Sequence, residues 1–162
     1  MRSLIFQLRP DALHDEGLVA AIRRHAAAVA AREGFEVCVH APEDRLPLDE
    51  HAERELFRVV QEALHNSVKH ANPARVDIRL GEGAGAPGTL VVELTDDGGG
   101  FNADLTYPGH MGLAGMRERT RRLGGTFTVQ TSSAGTTVRA VLPGVLRPRS
   151  GADVPTSGGP PG

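Results

Sequence analysis

The sequence predicts a two-layer α/β sandwich: a mixed, largely antiparallel sheet of about five strands with helices on one face. Three observations carry this. Five short runs alternate apolar and polar residues, helical runs are interleaved among them, and 162 residues suffice for one core without disulfide or metal support. Taken in order, Gly17 to Arg32 is alanine-rich and stops at Gly34, a C-terminal cap. Phe35–His40 then reads as a strand, and Glu53 to Ala71 as a helix. Val76, Ile78 and Leu80 alternate with Arg75, Asp77 and Arg79. After the glycine-rich connector from Gly81 to Gly88, Leu90, Val92 and Leu94 alternate with Val91, Glu93 and Thr95. That is a strand, a loop and a second strand, expected to pair antiparallel. Met111 to Leu123 reads as a helix closed by Gly124-Gly125, and Thr126–Thr131 and Thr136–Leu142 as strands joined by the turn Ser132-Ser133-Ala134-Gly135. Arg147 to Gly162 is half proline and glycine and has almost nothing to bury, so it reads as a disordered tail.

Composition narrows the function classes. Eighteen basic against 20 acidic residues leave a net charge of −2, which argues against nucleic acid as a partner. No apolar run approaches the roughly 18 residues that cross a bilayer, and no secretory leader opens the sequence. Direct membrane contact is therefore not expected. The lone Cys38 excludes an internal disulfide framework and fits a reducing compartment, the cytoplasm. Cys38 alternates with Val37 and Val39 and reads as structural. Seven histidines show no zinc spacing. All basic residues but Lys69 are arginines.

The helix from Glu53 to Ala71 carries the most information. At 100° per residue, Leu56, Val60, Ala63, Leu64, Ser67, Val68 and Ala71 form one largely apolar stripe. Glu62, Asn66 and Lys69 lie at i, i+4 and i+7 on the opposite side, with His70 close by. Asparagine is a poor mid-helix residue, because its amide competes for backbone hydrogen bonds. Two readings stand: a solvated face, or an acid, an amide and an amine aligned to hold Mg²⁺ and phosphate oxygens.

Two glycine clusters bear on that choice. The strand Leu90–Thr95 runs into Asp96-Asp97-Gly98-Gly99-Gly100-Phe101. Consecutive glycines let a backbone approach a flat ligand, and an aspartate at a strand end can accept from an exocyclic amine such as that of adenine. The run also fits an ordinary turn. The second cluster, Gly109-His110-Met111-Gly112-Leu113-Ala114-Gly115-Met116, opens a helix, whose N-terminal amides would suit a polyphosphate. It is neither a Walker loop nor a dinucleotide fingerprint. Arg117, Arg119, Arg121 and Arg122 follow it, and a solvated helix face is the favoured reading for them.

These pieces, in this order, resemble the GHKL ATP-binding superfamily of histidine kinases, gyrase B, MutL and their relatives. Glu62-Ala63-Leu64-His65-Asn66 with Lys69-His70-Ala71 resembles its N box. Asp96-Asp97-Gly98-Gly99-Gly100 resembles the D-x-G-x-G box, Gly112-Leu113-Ala114-Gly115-Met116 the glycine box after the lid, and Gly135-Thr136-Thr137 the late G-T element. The resemblance spans roughly residues 4–143 and implies the Bergerat version of the α/β sandwich, with ATP and Mg²⁺ as its ligands. It implies that Asn66 coordinates Mg²⁺, that Asp96 reads the adenine amine, and that Lys69 and His70 approach phosphates. Glu62 occupies the place of the general base in the ATPase relatives. Gly98, Gly100, Gly112 and Gly115 would supply backbone space and amides, Leu113 and Thr136 would complete the pocket, and Phe101 to Met111 would be the lid.

The run Leu4-Ile5-Phe6-Gln7-Leu8-Arg9-Pro10, with Leu13 and Gly17-Leu18, is similar to a junction in sensor kinases that pair with LuxR-type response regulators. In them it joins the dimerisation helix to the catalytic domain. Residues 1–24 are thus expected to end a dimerisation helix and form a connector, 25–146 the catalytic domain and 147–162 the tail. The phosphoacceptor run of that subfamily is not in this sequence. Leu13-His14-Asp15 mimics its last three residues but stands where the connector belongs, so a polar linker reading is favoured for His14. The implied function is the catalytic domain of a sensor histidine kinase. Its partners would be the dimerisation and phosphoacceptor domain of the same kinase, dimeric at full length, and a cognate response regulator. An anti-sigma-factor serine kinase and a non-catalytic nucleotide-binding module are the alternatives.

Overall fold

The computed structural model describes residues 10–99 and 110–148. Residues 1–9 of the expected connector region, Gly100, the expected lid up to Gly109 and the expected tail beyond residue 148 lie outside the described residues. Five strands form one sheet in the order β1-β2-β3-β5-β4. β1 (Glu36–His40) pairs parallel with β2 (Arg75–Glu82). β3 (Leu90–Asp96) runs antiparallel to both β2 and β5 (Gly135–Leu142), and β4 (Thr126–Ser132) antiparallel to β5. The mixed, largely antiparallel sheet is as expected, and its one parallel join is made by a helical crossover.

The two-residue period of each strand decides the layers. Val76, Ile78, Leu80, Val92, Leu94, Val138, Ala140 and Leu142 are buried against the helices. On the other face, Arg79 stands opposite Glu93 and Glu93 opposite Arg139, a row of alternating charge. A one-residue slip would turn that row into the core, so the register is strongly specified.

Four helices cover the apolar face: α1 (Pro10–Glu16), α2 (Leu18–Glu33), α3 (Glu50–Asn66) and α4 (His110–Arg122). Gly34 ends α2 as expected, its amide bonded to the carbonyl of Ala30 at 2.9 Å. The seven-residue α1 lies within residues 1–24, read as the end of a dimerisation helix and a connector, where no separate helix is expected. It is too short to show a period, and its proline occupies the first helical position, where a missing N–H costs nothing. α3 begins three residues earlier than expected, because Asp49 caps it by accepting from the amide of Ala52 at 2.7 Å. Its far end also differs. Regular α geometry stops at Asn66, and Ser67–Ala71 form a wider π-helical turn that ends at Asn72 in the left-handed region, φ 45°. The 100° spacing therefore does not extend to Lys69 and His70.

Glu53, on the first turn of α3, is 2% exposed. Its carboxylate accepts from the amide of Leu18 at 3.1 Å, at the start of α2, and from Arg45 Nη2 at 2.9 Å. The same Arg45 nitrogen donates to the carbonyl of His14 in α1 at 2.8 Å. One buried acid thereby fixes three helices, with the positive end of α2 aimed at it. Gly17, between α1 and α2, has φ +87° and lies against the Arg45 side chain, so a Cβ there would be both strained and blocked. Across α2 and α3, His25 meets Phe57 edge-to-face at 5.9 Å, and burial, then the Arg32 charge, push its pKa below the ordinary value.

Glu53→Ala is expected to cost about 2–3 kcal/mol, mainly for the orphaned Leu18 amide and less than for a fully buried pair because Arg45 can turn to water. Urea unfolding should show a lower midpoint at unchanged slope, with Glu53→Gln losing less because its amide oxygen still accepts from Leu18.

Candidate functional site

The site lies where α3 and its π turn pass the end of β3. Asp96, the last residue of β3, points into the helix layer and is 4% exposed. Its Oδ1 accepts from the amides of Gly98 at 3.0 Å and Thr136 at 3.2 Å, and its Oδ2 from Ser67 Oγ at 2.8 Å. A carboxylate has about four acceptor positions, so one on Oδ2 is left over. The neighbouring Asp97 faces the other way, as strand alternation requires. Its Oδ1 accepts from the amides of Ala74 and Arg75, both at 2.9 Å, and so ties down the entry to β2. Adjacent aspartates thus divide the labour between pocket and frame.

Asp96 opens on a narrow cleft of about 10 Å³ lined by Ala63, Asn66, Ser67, Leu94, Leu113, Thr136 and Val138. Next to it lies a cavity of about 470 Å³, lined by Arg58, Gln61, Glu62, His65, Asn66, Lys69, Gly112, Gly115, Met116 and Arg119. Asn66 belongs to both walls. A mid-helix asparagine is explained by this position, since its amide is offered to whatever bridges the two spaces.

Of the residues singled out in the sequence, Glu62, Asn66, Lys69, Gly112 and Gly115 line the larger cavity, and Asp96, Asn66, Leu113 and Thr136 the cleft. Gly98 contributes its amide to Asp96. Gly100 and the side chain of His70 lie outside the described residues. The face of Glu62, Asn66 and Lys69 is therefore a cavity wall. Gly112 sits so close to Glu62 that a Cβ there would collide with its carboxylate, which is why the first turn of α4 can pack on that acid.

The structure adds residues that sequence reasoning missed. Ser67 belongs to the apolar stripe and is buried as that stripe requires, but its hydroxyl orients Asp96. A polar group on a buried face was the signal, because such groups are almost always bonded. Arg58, Gln61 and His65 also line the cavity. Arg119, expected on a solvated face with Arg117, Arg121 and Arg122, is a correction. Its Nη1 lies 2.7 Å from Glu55 Oε2 in a part-buried ion pair, and Arg119 itself lines the cavity. Arg121 and Arg122 do stay outside, both bonded to Glu118, whose pKa hydrogen bonding to Arg121 lowers most.

Another cavity, of about 710 Å³, lies among Pro42–Pro47, Pro87, Gly88 and Leu146–Pro148, and no residue singled out in the sequence lines it. Among the described residues no three of His, Cys, Asp and Glu gather to hold a metal ion, and no helix is long and apolar enough to cross a membrane. Burial pushes the Cys38 thiol up, which keeps it protonated at neutral pH.

Comparison with known proteins agrees with this geometry. The family described as histidine kinase-, DNA gyrase B-, and HSP90-like ATPase matches residues 51–145. The chain is 34% identical over 146 residues to the signal transduction histidine-protein kinase/phosphatase DegS of Brevibacillus brevis, covering 88% of this chain and 36% of that protein. It is 33% identical over 133 residues to the sensor histidine kinase ComP of Bacillus subtilis, covering 81% of this chain and 17% of ComP. It thus spans well under half the length of these relatives. Among solved structures, the histidine kinase domain of the blue-light activated histidine kinase of Erythrobacter litoralis EL346 superposes with a TM-score of 0.64 at 27% identity, covering 78% of this chain and 64% of that one. The mycobacterial sensor histidine kinase MprB gives 0.59 at 25% identity, over 79% and 95% of the two chains.

The bonding around Asp96 predicts how its variants fold. In Asp96→Asn the amide oxygen can keep the donors Gly98 and Thr136. Ser67 Oγ, 3.3 Å from the carbonyl of Ala63, can turn to donate there and accept from the new amide. Its cost in urea unfolding should stay below about 1 kcal/mol, whereas Asp96→Ala, which orphans two buried amides, should cost about 2–4 kcal/mol.

Proposed function

The chain belongs to the histidine kinase-, DNA gyrase B-, and HSP90-like ATPase family, and we propose that it is the ATP-binding catalytic domain of a sensor histidine kinase. In this reading it transfers the γ-phosphoryl group of Mg-ATP to a histidine on a dimerisation domain, which passes it to a response regulator. The observation that carries the reading is the free acceptor position of buried Asp96, opening on a cleft joined through Asn66 to the cavity of Glu62 and Lys69.

Each residue has a task in that reaction. Asp96 Oδ2 accepts from the exocyclic amine of adenine, while Ser67, Gly98 and Thr136 hold the carboxylate still. Leu94, Leu113 and Val138 give the ring apolar walls. A purine is far larger than the cleft of about 10 Å³, so nucleotide entry moves Leu113 and the first turn of α4 outward. That outward shift is the opening step of an element that gates substrate entry. Lys69 faces the phosphates as a point charge, with His70 beside it in the chain. Asn66 and Glu62 offer an amide oxygen and a carboxylate, the hard donors that would hold Mg²⁺ together with phosphate oxygens. When bound, the ion neutralises phosphate charge. Glu62, held against Gly112, is placed to orient the incoming group.

Residues 1–24 are read as the end of a dimerisation helix and the connector, feeding through α1 and the first turns of α2 into the catalytic domain of 25–146. The full-length protein would be a homodimer through those helices. We read the domain as cytoplasmic, whether or not the full-length protein is anchored in the cell membrane, and a free cysteine supports that reading.

Two experiments test this. In calorimetry, Asp96→Asn should bind the ATP analogue at least about tenfold more weakly than wild type, since its amide sets a donor against the adenine amine. Equal affinity ends the assignment of Asp96. For phosphotransfer, the chain is incubated with γ-labelled ATP, alone and with a separately made dimerisation hairpin carrying its histidine. Holding an imidazole at the γ-phosphoryl group supplies roughly 7–11 kcal/mol toward the barrier, so label should reach only the hairpin. It should be acid-labile and disappear with Asn66→Ala. Acid-labile label on the chain itself, lost in His14→Gln, would make His14 the acceptor.

A further inference from the structure

On the wall of the cavity beside the base cleft the charges are unequally matched. Arg119 has its carboxylate, Glu55, at 2.7 Å. Arg58 lines the same cavity and, among the described residues, has no hydrogen-bond or ion-pair partner. Glu62 stands four residues further along α3, the spacing at which such pairs meet, yet no ion pair joins them. An arginine N-terminal to its acid is the weaker orientation, and Glu62 is instead pressed against Gly112 on α4. The guanidinium is thus left as an uncompensated cation facing the cavity.

Its place along the helix says what it faces. Arg58, Glu62 and Asn66 follow one another at steps of four, and eight residues of α-helix span about 12 Å. Asn66 is at the base cleft; Arg58 is at the opposite end of the same wall. A triphosphate laid from the cleft along this wall passes Asn66 and Glu62 and brings its terminal group toward Arg58. A planar fork of N–H donors matches two phosphoryl oxygens at once, which a lysine cannot do. We propose that Arg58 binds the γ-phosphoryl group and is the residue by which this site distinguishes a nucleoside triphosphate from a diphosphate. The inference rests on the nucleotide reading above and adds the direction in which the phosphates run.

The test is the ratio of ATP-analogue to ADP affinity, measured by calorimetry with Mg²⁺ on the full chain. Arg58→Ala should weaken binding of the triphosphate analogue about tenfold or more and leave ADP within about twofold, and Arg58→Lys should recover only part of the difference. Arg58 is exposed and unbonded, so both variants should melt as wild type does. Arg54→Ala, one turn earlier and off the cavity wall, should leave the ratio unchanged. Equal loss for both nucleotides, or no loss for either, overturns the role of Arg58. Wild type binding neither nucleotide would instead overturn the nucleotide reading itself.

Discussion

The carboxylate of Asp96 is buried at the junction of three elements, and the site is built around keeping it satisfied. An isolated carboxylate in such a place would cost several kcal/mol, and charge-assisted bonds to two amides and a hydroxyl offset that cost. Because the donors come from the π turn after α3, the loop after β3 and the start of β5, they also fix those segments relative to one another. Their number leaves one acceptor position unused, and it faces the cleft. The constraint that holds the fold together here is the same one that makes a recognition group.

A second buried acid does the corresponding work at the other end of α3. Glu53 gathers the start of α2, the loop arginine Arg45 and, through it, the last turn of α1. Between the two acids α3 is a beam: its apolar side, Leu56, Val60, Ala63 and Leu64, is almost fully buried. Its opposite side carries Arg58, Glu62 and Asn66 along the cavity. A side chain on that wall is therefore placed by the core on the far side of the same helix.

Charge is distributed accordingly. Away from the cavity, several arginines are paired off, Arg75 with Asp77, whose pKa that bond lowers, and Arg121 and Arg122 with Glu118, while Arg54, Arg79, Arg117 and Arg139 have no such partner among the described residues. At the cavity, Arg58 and Lys69 have no partner among the described residues. Exposed pairs contribute little to stability, so the arrangement matters less for the fold than for the potential inside the cavity. Gathering unpaired cations beside Glu62 and Asn66 favours an anion that brings its own metal.

The sequence by itself determined the layers, the five strands and the ends of α2 and α4, because these follow from local periods of two and 3.6 and from glycine at Gly34 and Gly124. It also placed Glu62, Asn66, Asp96 and Gly112, since polar residues in the wrong local setting and glycines beside a strand end are visible one residue at a time. It missed α1, too short to show a period, and the π turn, because a change of helical pitch leaves no mark on the apolar spacing. Ser67, Glu53 and Arg58 were illegible for another reason. Their roles depend on what lies across from them: Asp96 opposite Ser67, the amide of Leu18 opposite Glu53, and for Arg58 the absence of a paired acid. Periodicity shows which way a side chain points; only the packing of helix on sheet decides what it meets there, since partners distant in the chain leave no mark on the local pattern.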